Sequence, residues 1–272
     1  MMDSMKRWFS QESLEWFHRS YVIDWVFVVA FWLTSYLISF IPIYERNIPL
    51  NDESIGHRHT HEQISSATNR SISLFIPLAI TVVVGLSKRS LIHIHHSWLS
   101  ALAGSGLTRL VTEFLKNRVG RLRPDFLSRC KWDDKINACA GSLSSIRGGR
   151  KSFPSGHSST AFAGMTFFAL YLVSRGAGYT SSKLSRIFIV LLPLFYATWV
   201  AISRVEDYRH HVEDVVVGGI IGLVSSAVCF LVYWHNPFSK TSPSPRSVYG
   251  EVDEAIERSR HEEYQLTLGS EL

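Results

Sequence analysis

Apolar residues fall in six runs along the chain, at about 22–41, 72–87, 97–115, 158–174, 187–203 and 215–234, with polar stretches between them. Each run is close to the roughly 17–25 residues that a membrane-spanning helix needs. The pattern therefore predicts an all-α, polytopic membrane protein built as a bundle of six spanning helices, in preference to the buried core of a large soluble domain. Residues 21–236 form the membrane domain in this reading, 1–20 a cytosolic N-terminal segment and 237–272 a disordered cytosolic tail. The tail contains Ser242-Pro-Ser-Pro-Arg246 and few large apolar residues to bury. The residues before Tyr21 are polar and amphipathic rather than a cleavable signal, so the first span is read as retained.

Aromatic placement supports the spans. Trp25, Trp32, Trp98, Trp199 and Trp234, with Tyr21, Tyr44 and Tyr233, lie largely toward span ends, where amphipathic rings favour the membrane interface. Pro42, Pro77 and Pro193 sit in or beside the runs, which a bundle tolerates when neighbours satisfy the freed backbone groups.

The net charge of +5 and pI near 9.2 would, in a soluble protein, suggest a nucleic-acid partner. Here ten Lys and Arg residues fall between Lys116 and Lys151, with no aromatic-interleaved surface for single strands. Nucleic acid is excluded as a partner on that ground. The cations instead join histidines in three blocks: Lys116-x6-Arg123-Pro124, Pro154-Ser-Gly-His157 and Ser203-Arg204-x5-His210-x3-Asp214. Each lies at the end of an apolar run, and alternating six spans puts all three on one membrane face. With the block region set aside, the remaining Lys and Arg favour the side that holds the termini. The positive-inside rule then makes the termini cytosolic and the site lumenal or extracellular.

A phosphate ester offers strong acceptor oxygens, and Arg forks, a Lys charge and backbone N–H groups meet it best. Lys116, Arg123 and Arg204 are read as its clamps, with Ser155 and Gly156 offering N–H donors at a helix start. His210 and Asp214, four apart, would share a helical face, where the carboxylate orients the imidazole as a nucleophile. His157 would protonate the leaving oxygen and then activate water. His211 would point about 100° away from His210 on a helix and is read as a neighbour.

Other clusters receive blander readings. His57, His59 and His61, and His93, His95 and His96, have alternating spacings unlike a closed zinc site, so no metal is assigned. Arg109 and Glu113 are read as an inward-facing i,i+4 ion pair that supports Lys116. Cys130 and Cys139 are spaced so that a disulfide could close a short loop, or remain as two thiols; Cys229 lies inside the sixth span. Asn69-Arg-Ser71 matches a glycosylation sequon but abuts the second span.

Taken together, the three blocks resemble the three-part signature of the type 2 phosphatidic acid phosphatase superfamily, the lipid phosphate phosphatases, at every signature position. The resemblance covers roughly residues 20–236. The words Gly120-Arg-Leu-Arg-Pro-Asp-Phe126 and Gly149-Arg-Lys-Ser-Phe-Pro-Ser-Gly-His157 resemble its fungal diacylglycerol pyrophosphate phosphatase branch. The resemblance implies a six-helix bundle and a Mg2+-independent mechanism through a phosphohistidine. By position it makes His210 the nucleophile, Asp214 its orienter and His157 the acid/base. Lys116, Arg123, Ser155, Gly156 and Arg204 would bind phosphate. The implied substrates are phosphatidic acid, diacylglycerol pyrophosphate and lysophosphatidic acid, held in the lipid bilayer, in a vacuolar, endoplasmic-reticulum or plasma membrane. Sphingoid-base phosphates, polyprenyl pyrophosphates and a catalytically silent scaffold are the alternatives.

Overall fold

The computed structural model describes residues 17–174, 183–237, 245–246 and 248–249. The expected N-terminal segment and tail fall mostly outside these residues. In chain order the helices are α1 (Ser20–Ile38), α2 (Ser66–Arg70), α3 (Ile76–Ser87), α4 (Leu91–Val119) and α5 (Phe126–Cys130), followed by α6 (Leu143–Gly149), α7 (Gly156–Ser174), α8 (Lys183–Glu206) and α9 (Val212–Tyr233). A π-helical turn, Ser71–Phe75, joins α2 to α3 into one continuous rod. Among the described residues the paired strands are a short antiparallel hairpin, β1 (Trp132–Asp133) with β2 (Ala138–Cys139), inside the central loop.

Among the described residues, four segments are long and apolar enough to cross a membrane: Ser20–Ile38, Ser66–Ser87, Ile187–Glu206 and Val212–Tyr233. Their outer faces expose large apolar side chains such as Phe27, Phe75, Phe195 and Val228, which suits contact with lipid rather than water. The two remaining expected spans exist as long helices, α4 and α7, but do not meet the same measure. The physical reason is their position. Both are enclosed by other helices, and they carry the polar residues of the interior, among them Thr108, Thr112, Ser158 and Ser159.

Sequence explains the ends of α4. Ser90 caps its start by accepting from the His93 amide, and Gly120 stops it in the left-handed region at φ 58°. A side chain at Gly120 would also strike the Tyr44 carbonyl at 1.9 Å. Close helix contact at α9 depends on Gly222, where an added Cβ would lie 2.3 Å from the Ser159 carbonyl of α7.

The two ends of the bundle differ in chemistry. One gathers rings: His93 bonds Tyr171, His96 bonds Tyr21, and Trp25 donates to His95, at 2.8, 3.0 and 3.0 Å. The described residues of the tail make contacts here. Arg246 donates its amide to the Tyr233 carbonyl at 2.9 Å, and the Tyr249 hydroxyl reaches Asp24 at 2.8 Å. The opposite end gathers the C-terminal ends of α4 and α8 with the N-terminal ends of α7 and α9.

Candidate active site

Backbone hydrogen bonds stitch the three sequence blocks together at that opposite end. The Arg123 amide donates to Gly149 and the Ser152 amide to Arg121, at 2.9 and 3.0 Å, joining the first block to the lead-in of the second. The Ser155 amide donates to the Asp214 carbonyl at 2.8 Å, joining the second to the third. Two adjoining cavities result, of about 300 and 170 Å³, and Ser66, Arg123, His157 and His210 line both. Lys116 and Gly156 face the larger, and Arg204 the smaller with Arg129 and Arg209.

His210 precedes α9 instead of sitting on it, so the expected shared helical face with Asp214 does not form. Its Nδ1 lies 2.7 Å from the Ser152 carbonyl and 3.8 Å from Asp214 Oδ2. A carbonyl can only accept, so Nδ1 carries the proton and Nε2 keeps its lone pair. Burial, with the charge of Arg123 nearby, pushes the imidazole down to about 3 and keeps it neutral. Asp214 is itself held by several donors. Its fully buried carboxylate accepts from the Ser152 hydroxyl at 2.5 Å, Arg121 at 2.9 Å, and the His211 amide and ring at 3.0 and 3.3 Å. It therefore fixes the residue whose carbonyl holds His210.

His157 opens α7, and its Nε2 is 3.3 Å from the Ser66 hydroxyl. Its backbone carbonyl accepts from the Asn69 amide at 3.0 Å, while Asn69 Oδ1 accepts from Ser73 at 3.1 Å. Asn69 of the sequon is thus a buried brace for the histidine, with both ends of its amide engaged.

The cations are held with donor capacity to spare. Lys116 pairs with Glu113 at 2.8 Å. Arg204, almost fully buried, donates Nη2 to Asp207 at 2.9 Å, and among the described residues its Nη1 has no hydrogen-bond partner, the Glu62 carboxylate lying 4.0 Å away. Arg123 Nε and Arg209 Nε are likewise unpaired. Burial, with Arg129 alongside, lowers Arg123 to about 10, which leaves it cationic at neutral pH. Buried, underused guanidinium groups around two histidines give the cavity donors of the kind that suit a multivalent oxyanion. The lack of a side chain at Gly156 matters here, because a Cβ would meet Lys116 Nζ at 2.8 Å.

Several expectations resolve differently. Ser155 is buried, its amide is taken by Asp214, and its hydroxyl accepts from the Ser158 amide at 3.3 Å. The first-loop histidines separate: His57 stacks on Tyr208 at 4.3 Å, His59 meets Asp125 at 2.7 Å, and His61 faces a cavity beside Arg209. The pair expected between Arg109 and Glu113 is replaced. Glu113 holds Lys116, and Arg109 lies over the Trp32 ring at 5.8 Å. Cys130 and Cys139 are joined in a disulfide across the hairpin.

Sequence reasoning missed Ser152, Arg121, Asn69 and Ser66. Arg121 and Ser152 lay inside quoted words and could have been weighed by charge and proximity. Asn69 and Ser66 carry no local signal, since only packing of α2 against α7 brings them to His157.

Residues 97–238 match the model of the PAP2 superfamily. The chain is 35% identical over 187 residues to "Lipid phosphate phosphatase 2" of Arabidopsis thaliana, covering 65% of this chain and 64% of that one. It is 30% identical to "Probable diacylglycerol pyrophosphate phosphatase 1" of Schizosaccharomyces pombe, covering 77% and 79%. With "Diacylglycerol pyrophosphate phosphatase 1" of Saccharomyces cerevisiae it shares 32% identity, covering 71% and 72%. The match thus spans less than two thirds of the Arabidopsis relative's length. No solved structure matches.

Proposed function

The chain belongs to the PAP2 superfamily, and from that premise we propose that it is a membrane-embedded lipid phosphate phosphatase acting on phosphatidic acid and diacylglycerol pyrophosphate through a phosphohistidine. The observation that carries this reading is the contact between His210 Nδ1 and the Ser152 carbonyl, which leaves Nε2 as a neutral nucleophile in a cavity lined by cations. The names of the fungal relatives support the substrate class.

In the proposed reaction Nε2 of His210 attacks phosphorus in line with the bond to the leaving oxygen. The P–O bond breaks as the N–P bond forms, and His157, which takes a proton from the bound monoanionic phosphate, gives that proton to the departing oxygen. Lys116, Arg123 and Arg204 balance the charge on the equatorial oxygens. Water then attacks the phosphohistidine, giving a proton to His157, and inorganic phosphate leaves as His210 Nε2 regains its lone pair. The residues themselves supply nucleophile, acid and positive charge, and the carboxylates near the cavities face cations: Glu113 meets Lys116, Asp214 meets Arg121 and Glu62 meets Arg209. A divalent cation, which favours carboxylate oxygens, has no necessary role in this scheme.

The proposal includes topology. All six long helices cross the bilayer, α4 and α7 shielded by the other four, with the termini cytosolic and the site at the lumenal or exterior face. Support comes from the collection of every block at one bundle end.

The test is phosphate release from both lipids in detergent micelles with excess EDTA, for wild type and His210→Ala. Activity that survives EDTA and disappears in the variant is expected. Wild-type activity abolished by EDTA and restored by Mg2+ would overturn the metal-free scheme, and hydrolysis of neither lipid would overturn the substrate assignment.

A further inference from the structure

The signature residues account for one end of the larger cavity and leave its other end unassigned. From Lys116 the cavity follows α4 back to Ser105, about 16 Å at 1.5 Å per residue. Trp32 of α1, Leu74 of the π turn and Ala163 of α7 form the apolar part of its walls, with Thr112, Ser159 and Thr160 between them. That apolar part is suited to the lipid portion of a substrate. Two guanidinium groups reach this stretch: Arg70, which is exposed, and Arg109, half-buried roughly 10 Å below Lys116 along the helix.

Arg109 occupies the same face of α4 as Glu113 and Lys116, and all three line the cavity. Glu113 is committed elsewhere, to Lys116 at 2.8 Å and Lys151 at 4.0 Å. Among the described residues no carboxylate lies within ion-pair distance of Arg109. Its contact is the Trp32 ring, 5.8 Å from the guanidinium carbon. That ring is itself anchored, since Trp32 Nε1 donates to the Leu102 carbonyl at 3.1 Å. Its indole also fits against Gly106, where a Cβ would lie 2.8 Å from Nε1. A fixed aromatic plate thus holds a cation at the depth of the hydrocarbon, with its donors available to the cavity. An unpaired guanidinium there is costly, and an anion arriving with the substrate would offset the cost.

We infer that Arg109 binds the phosphate that stays with the lipid when a pyrophosphorylated lipid is hydrolysed. This rests on the phosphatase reading above and names a specificity-determining residue within it. With the terminal phosphoryl group between His210 and the signature cations, the leaving oxygen belongs to the lipid-linked phosphate, which lies on the Arg109 side. A monophosphorylated lipid has glycerol at that place and no charge for Arg109 to meet. The guanidinium therefore favours the diphosphate and stabilises its leaving group.

The experiment compares kcat/KM for diacylglycerol pyrophosphate and phosphatidate of identical acyl chains in mixed micelles, for the full-length wild type, Arg109→Gln and Arg109→Lys. Arg109→Gln should lose about 10- to 100-fold on the diphosphate, the scale of one charge-assisted hydrogen bond, and less than about threefold on the monophosphate. Arg109→Lys should recover part of the loss. Inhibition supplies the same comparison without acyl chains: the preference for inorganic pyrophosphate over orthophosphate should collapse in Arg109→Gln. An equal loss on both lipids, or none on either, overturns the inference. If Arg109→Gln does not fold, Arg109→Lys decides, and an equal change on both lipids again overturns it. A wild type inactive on both lipids would count against the phosphatase reading instead.

Discussion

The backbone carbonyl of Ser152 stands 2.7 Å from Nδ1 of His210, while the Ser152 hydroxyl donates to Asp214 at 2.5 Å. The aspartate thus reaches the histidine both directly, at 3.8 Å from Nδ1, and through Ser152. Ser152→Ala should leave the carbonyl in place, because its amide remains bonded to Arg121, and lower kcat about tenfold for the loss of roughly 1 kcal/mol of orientation. Asp214→Asn, which removes the charge that also holds Arg121 and the His211 amide, should cost about 100-fold or more. Steady-state kinetics on both variants checks the order, and Ser152→Ala proving the more damaging would disprove it.

Acid should destabilise the fold through His210. Its folded value is about 3, against about 6.5 in an unfolded chain. The unfolded chain therefore takes up a proton that the folded protein refuses. The contribution is complete above about pH 6.5 and is lost as pH falls toward 3, at up to about 1.4 kcal/mol per pH unit. Melting temperatures in detergent should drop from about pH 7.5 to about pH 4.5, and drop less in His210→Gln. Parallel curves for the two proteins would contradict the assignment.

Gly156→Ala should separate binding from folding. The added methyl meets Lys116 Nζ, the end of a flexible side chain, at 2.8 Å. The amine can retreat, so stability should change by less than about 1 kcal/mol. Its displacement from the cavity should reduce kcat/KM by about tenfold. Gly164→Ala provides the contrast, since its Cβ would lie 1.7 Å from the Ser73 carbonyl and should lower the melting temperature sharply. Comparable melting of the two variants would show that Lys116 cannot yield.

The Cys130–Cys139 disulfide closes a loop of sequence separation 9, for which chain entropy suggests a stabilisation of about 2–3 kcal/mol. Buried Cys130 packs with Leu122, Ile55 and Phe126, and its neighbour Arg129 lines the smaller cavity while holding Asp125 at 2.7 Å. Replacing both cysteines by serine should therefore raise the KM for lipid substrate several-fold as well as lower the melting temperature. An unchanged KM would show that the hairpin and the cavity are independent.

What the sequence determined by itself is what local chemistry writes into residue type. Six apolar runs became six long helices, and Lys116, Arg123, His157, Arg204 and His210 meet around two adjoining cavities. Burying long apolar stretches and clustering cations near histidines leave composition and spacing behind. The tertiary structure alone decided which atoms these groups touch. His210 is held by a backbone carbonyl, an acceptor every residue carries, so no side-chain identity could announce Ser152 as its partner. His210 and Asp214 are four apart, yet α9 begins at Val212, so His210 lies outside the helical register and meets the carboxylate at 3.8 Å from the preceding loop. Asn69 reaches His157 from 88 positions away. Arg109 lies beside Trp32 instead of pairing with Glu113, because Lys116 already occupies that carboxylate. These contacts depend on how helices pack through small residues, and close packing is a property of pairs of surfaces rather than of either sequence segment alone.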